Sequence, residues 1–244
     1  MRPLLRWLAL LGIAFLALQL FFVARIALMV VVDPQSTAFE RSEAMRVLGG
    51  KGALPWRQTW VPYAQISDHL KRAVIASEDD GYVAHDGVDW DALEKAWARN
   101  NRAEEQAARR SAPGRKGQAA MPKVVGGSTI TQQLAKNLFL SGERTLLRKG
   151  QELVLTLMLE ALLDKRRILE IYLNNVEWGE GVFGAQAAAE HYYRKSAARL
   201  SAAEAARLAV MLPRPRYFEK LPNSAYVAGR AGTILARMAD ARLP

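Results

Sequence analysis

From Trp7 to Ala24 the chain reads WLALLGIAFLALQLFFVA, without one charged side chain. As a helix this run measures roughly 27 Å against a hydrocarbon core of about 30 Å. Ile26 to Val32 extend it past Arg25, whose guanidinium can snorkel to the interface. The run is too long for a typical signal-peptide core, and no small-x-small cleavage site follows it cleanly. It therefore predicts a membrane anchor over residues 7–32, with a short cytoplasmic N-terminus over 1–6. Arg2 and Arg6 precede the run and no acid comes before Asp33. The positive-inside rule then sends residues 33–244 to the far side of the membrane.

With half of its 244 residues hydrophobic, the chain can bury a real core beyond the anchor. The net charge of +10 points to an anionic partner, whether lipid head groups, phosphates or nucleic acid. Orientation away from the cytoplasm argues against nucleic acid. Without cysteine there is neither a disulfide framework nor a zinc-thiolate site. His69, His85 and His191 are scattered and form no H-E-x-x-H. Gly179, Gly181 and Gly184 spell G-x-G-x-x-G, but RRILEIYLNNV before them has helical spacing, which excludes a dinucleotide fold there.

Helical patterns fill the rest, so the predicted fold is all-α. In ISDHLKRAVI, Ile66, Leu70, Ala73 and Val74 make a buried face, and the helix ends in Glu78, Asp79 and Asp80. Partial burial and neighbouring like charges raise a carboxylate's pKa toward the range of a general acid or base, so Glu78 is a catalytic candidate. His85, a few residues on, is expected to brace the turn. Asp89 is a candidate cap for a helix carrying Trp90, Leu93 and Trp97 on one face, and Ser201 with Glu204 forms a capping box. Residues 99–123 mix Arg and Lys with Ala, Gln, Gly and Pro and read as a basic loop, a candidate flap over an anionic lipid or substrate.

Two further stretches carry polar chemistry. In GGSTITQQLAKNLFL, Ser128 or Thr129 can cap a helix whose buried stripe is Ile130, Leu134 and Leu138. Its other face offers Thr131, Gln132, Lys136 and Asn137, suited to sugars and phosphate, at a helix start that favours anions. In RTLLRKGQELVLTLMLEALL, Arg144, Arg148, Gln151 and Glu152 share one stripe, with Leu146, Leu147, Leu153, Val154 and Leu157 opposite. A glutamate among cations stays ionised, the complement of a carboxylate whose pKa is raised.

The order ED-x-x-aromatic-x-x-H-x-G-x-D, GGSTITQQL-x-KN, RK-x-x-E, K-x-x-ILE-x-YLN and AARLAVMLPRP spans most of residues 70–215. It resembles the glycosyltransferase domain of peptidoglycan synthases, the class A penicillin-binding proteins. The short length is similar to the monofunctional biosynthetic peptidoglycan transglycosylases. No Ser-x-x-Lys or Lys-Thr-Gly of a transpeptidase occurs.

The resemblance implies a lysozyme-like globular domain with a small membrane-associated lobe, for which residues 99–125 are candidates. It also implies an activity: lipid II is polymerised into β-1,4-linked glycan by moving the growing chain from its polyprenyl diphosphate to an acceptor 4-OH, with inversion. Glu78 matches the family's catalytic base. Glu152 matches the second glutamate, which orients substrate, or holds a divalent metal ion such as Mg2+ or cationic side chains near the diphosphate. Lys136 and Arg144 match diphosphate-binding residues, and Ser128 and Gln132 line the donor site. Asn137, Arg148 and Lys149 of the same motifs add substrate-binding positions. No organic cofactor is implied. The implied partners are lipid II, the nascent lipid-linked glycan, the bacterial inner membrane, and other cell wall synthesis and division proteins. Tyr82 stands where the family often has Phe, and the 99–123 segment is unusually long and basic. Two other readings remain: a lysozyme-like glycan hydrolase using Glu78 as acid, which has no need of diphosphate-binding cations, and a non-enzymatic membrane-tethered adaptor.

Overall fold

Apolar residues at three- and four-residue spacing recur along the chain, and the structure, a computed structural model describing residues 2–51, 56–110, 127–140 and 145–244, answers with helices. In order these are α1 (Arg2–Leu28), α2 (Ala38–Lys51), α3 (Asp68–Glu78), α4 (Trp90–Arg110), α5 (Ile130–Phe139) and α6 (Leu146–Leu162). They are followed by α7 (Lys165–Asn175), α8 (Gly184–Tyr193), α9 (Ala202–Met211), α10 (Pro215–Phe218) and α11 (Ala225–Arg237). Among the described residues the sheet is small: β1 (Arg57–Gln58) runs parallel to β3 (Val182–Phe183), which pairs antiparallel with β2 (Glu177–Gly179). The all-α class stands.

α7 is the helix around which the site is arranged. Its sequence ILEIYLNN sets Ile168, Leu169, Ile171, Tyr172 and Leu173 on a broad apolar face, which belongs inside. Ile168, Leu169, Ile171, Tyr172 and Leu173 are buried. Asn174, also buried, accepts from Val61 N at 2.9 Å and donates to Val61 O at 3.0 Å, clamping the segment that leads to α3. α5 packs on α6 and α7, while α3 packs on α9 and α11. Asp89 and Ser201 cap their helices as expected.

The 99–123 reading is corrected in part. α4 continues through residue 110, because RNNRAEEQAARR is rich in strong helix formers whose charge signals solvent rather than a loop. Residues 111–126 lie outside the described residues. Trp90 and Trp97 share a face of α4 but are 66% and 67% exposed. On α6 the inner face is Glu152, Leu155, Thr156 and Leu159, while Leu146, Leu147 and Leu157 are exposed. Periodicity located these stripes without saying which of them faces the core.

α1 is long and apolar enough to cross a bilayer, with a mean hydropathy of 2.3 over its best window. Its last turns are docked. Ile26 and Met29 are buried, Phe22 meets Phe139 edge-on at 5.4 Å, and the Arg25 guanidinium lies 5.3 Å from the centre of the Phe139 ring. Arg167 donates to Met29 O at 2.8 Å and pairs with Asp33 at 2.7 Å.

α2 begins with a reciprocal cap: Thr37 N donates to Glu40 Oε2 at 2.8 Å, and Glu40 N donates to Thr37 Oγ1 at 3.0 Å. Glu40 is buried and also accepts from Gln58 at 2.9 Å. Burial pushes its pKa up to about 7, against the opposing hydrogen bonds from Thr37 and Gln58. A carboxylate raised in the fold stabilises fully below its unfolded pKa, and that contribution fades as pH rises through the folded value. Thermal melts at pH 5 and pH 8 should therefore show Glu40 costing about 2 kcal/mol more at the higher pH. In Glu40→Gln that difference disappears; parallel pH dependences in the two proteins would exclude the effect.

Candidate active site

Where α3 ends, three successive carboxylates take three directions. Asp79, buried, accepts from His85 Nε2 at 2.8 Å and from the Ile130 backbone N–H at 2.9 Å, fixing the turn to the start of α5. Gly87 N donates to His85 Nδ1 at 3.1 Å, so the other ring nitrogen carries the proton given to Asp79. His85 thus braces the turn as expected. Gly87 sits at φ +84°, and a Cβ there would lie 2.8 Å from Thr156 Cγ2 and from Glu160 Cγ. Asp80 is exposed and pairs with Arg237 at 2.8 Å.

Glu78 is the candidate among the three, and it lines a cleft. It accepts from Gln133 Nε2 at 3.0 Å and from Ser77 Oγ at 3.3 Å. Burial raises its pKa, the hydrogen bonds from Gln133 and Ser77 pull it back, Asp79 adds to the rise and Lys136 opposes it. The expected elevation is present, with desolvation ahead of like-charge repulsion. Asp80 spends its charge on Arg237.

α5 opens on a full capping box: Thr129 Oγ1 accepts from Gln132 N, and Gln132 Oε1 accepts from Thr129 N. Gln132 is therefore a buried cap and Thr131 is buried against Glu160, so neither faces open space. Ser128 is exposed and lines a cleft of about 290 Å³ with Glu78, Asp80, Asp89, Arg99 and Arg237. Gln133, Lys136 and Asn137 follow one another at helical spacing along α5. Gln133 was missed from the sequence, although its three-residue offset from Lys136 was readable there. Arg99 and Arg237 were missed too, since only the fold brings α4 and α11 to this cleft.

On α6, Glu152 is buried and holds Arg148 Nη1 at 2.8 Å and Lys149 Nζ on its other oxygen. Arg148 Nε is buried and meets no acceptor among the described residues. Arg144 lies outside the described residues. Lys136 joins the two halves. Its pKa is lowered by desolvation first, and also by Arg148 and Lys149, while Glu152 and Glu78 push it up. As a whole residue Lys136 is exposed.

The end of α3 thus holds Glu78, α5 carries Lys136, and the start of α6 carries Arg148 and Lys149 around Glu152, all on an all-α scaffold. The profile of the transglycosylase family matches residues 53–239, and the chain belongs to that family, an all-α lysozyme-like class of glycosyltransferases. It is similar to the biosynthetic peptidoglycan transglycosylase of Burkholderia thailandensis, 53% identical over all of this chain and 90% of that relative. The protein of that name from Herminiimonas arsenicoxydans is 52% identical over all of this chain and 99% of its own length.

Proposed function

We propose that this enzyme polymerises lipid II at the outer face of the bacterial inner membrane, with Glu78 as the general base. Glu78 takes the proton from the acceptor's 4-hydroxyl as that oxygen attacks the anomeric carbon of the donor. The bond to the diphosphate breaks on the opposite side, so an α-linked donor gives a β-1,4 product in one inversion. Lys136, Arg148 and Lys149, with Arg144, take up the charge that develops on the departing diphosphate, and Ser128 and Asn137 contact sugar. Charge-assisted bonds to phosphate oxygens are about twice as strong as neutral ones, and cations aimed at a leaving group act mainly in the transition state. The observation that carries the reading is the hydrogen bond from Gln133 on α5 to Glu78, which sets Lys136, one turn further along the same helix, on the Glu78 side.

Glu152 orients the cations. Both its oxygens already carry a positive partner, a donor set that does not fit a divalent ion. The Arg2 and Arg6 side of α1 stays cytoplasmic. The exposed Trp90, Trp97, Leu146, Leu147 and Leu157 suit a lobe resting in the outer leaflet, where a polyprenyl tail lies. Tethering there turns a three-dimensional search into a lateral one.

The test is detergent-solubilised enzyme with lipid II, its products resolved by size. Long glycan and released polyprenyl diphosphate are expected. Shortening of pre-formed glycan, with lipid II left intact, would replace this reading by the hydrolase.

A further inference from the structure

Behind Glu78 lies a hydrogen-bonded chain that reaches the middle of the buried α7. The Tyr172 hydroxyl donates to Gln133 Oε1 at 3.0 Å, and Gln133 Nε2 donates to Glu78 Oε2 at 3.0 Å. Tyr172 is 1% exposed and does not itself line the cleft. We propose that Tyr172 is a positioning residue for the base: by donating to the Gln133 amide oxygen, its hydroxyl holds the amide nitrogen toward Glu78. This rests on the reading of Glu78 as the base.

The direction of the chain is what matters. Hydroxyl gives to amide oxygen, amide nitrogen gives to carboxylate, and each donation polarises the next. All of it favours the ionised form of Glu78. A turned amide would set its oxygen against the carboxylate, and burial keeps the phenol protonated, raising its pKa well above the ordinary value. Without the hydroxyl, the amide oxygen of the half-buried Gln133 loses the donor that sets its direction. The other groups facing Glu78 stay as they are. They are Ser77 and Asp79 at the end of α3 and Lys136 on α5, with Asp80, Asp89, Arg99 and Arg237 around the cleft.

Tyr172→Phe removes one oxygen and leaves the ring in place. In polymerisation of lipid II by the full chain, the acid limb of kcat/KM should move to higher pH by about half a unit. Below the limb the rate then falls about threefold, and above it the plateau holds. Tyr192→Phe deletes a hydroxyl that donates to Trp178 O at 2.8 Å, away from the site, and should leave the limb where it is. A lower plateau with an unmoved limb would mean that Tyr172 only packs, and would overturn the proposal.

A measurement without substrate separates this from the polymerase reading. The 13C carboxyl titration of Glu78, assigned by its loss in Glu78→Gln, should shift upward in Tyr172→Phe and further in Gln133→Leu. Adding Tyr172→Phe to Gln133→Leu should then change nothing, because the hydroxyl has lost the group it acts through. Independent, additive shifts would reject the chain. Should the unaltered protein make no polymer while the titrations behave as stated, the reading of Glu78 as base fails and the positioning by Tyr172 survives.

Discussion

Glu78→Gln should lower the rate of polymer formation from lipid II by about 10²- to 10⁴-fold, the range that a positioned general base supplies. Glutamine keeps the size of the side chain and can still meet Gln133 and Ser77, so the cleft keeps its shape. What is lost is the ability to take a proton. The same substitution should leave the fold at least as stable at neutral pH. Burial raises the pKa of Glu78, so its favourable contribution is complete below the ordinary carboxylate range and declines as pH climbs through the raised value. A neutral amide removes that decline, the trade of stability for activity common at working sites. The checks are initial rates with lipid II beside thermal melts at pH 6 and pH 8. A variant within tenfold of the parent rate would take the base role from Glu78. A variant that melts earlier at pH 8 would contradict the account of its burial.

Much of this arrangement was legible in the residues themselves. The face of α3, the stripe Ile130, Leu134 and Leu138, the caps at Asp89 and Ser201, and the Arg148 and Glu152 pair all follow from spacing of three or four along a helix, which is local information. Three things were not read from the sequence. Gln132 and Gln133 are adjacent amides with equal claim to a site; only the capping box at Thr129 consumes the first and frees the second. The apolar stripes on α4 and α6 look like core in sequence, because periodicity gives amphipathicity and never the identity of the apolar neighbour. The reading of 99–123 as a loop extends the Gly and Pro of residues 113–122 back over 99–110, which holds neither and completes α4. Tyr172 belongs to the same class of omission. Inside ILEIYLNN it reads as one more core aromatic, and its hydroxyl acquires a partner only when α7 meets α5.

Lys136→Met should cost about 10²- to 10³-fold in kcat, the scale found when one group stabilising transition-state charge is deleted. The charge it meets is small in the intact donor and grows as the diphosphate departs, so kcat should fall more than KM rises. A rise in KM alone would make Lys136 a ground-state anchor. The lysine also sets the alkaline side of the pH profile. Desolvation and the neighbouring Arg148 and Lys149 lower its pKa, against Glu152 and Glu78, so its charge is present at low pH and is lost earlier than in a free lysine. Activity should therefore decline on the basic limb below the usual lysine range. Lys136→Arg restores a charge that does not titrate there, on a broader head that fits the ammonium's position poorly. It should recover only part of kcat while carrying the basic limb to higher pH. If that limb stays put in Lys136→Arg, the titrating group is another one, and the lysine's place at the leaving group loses its support.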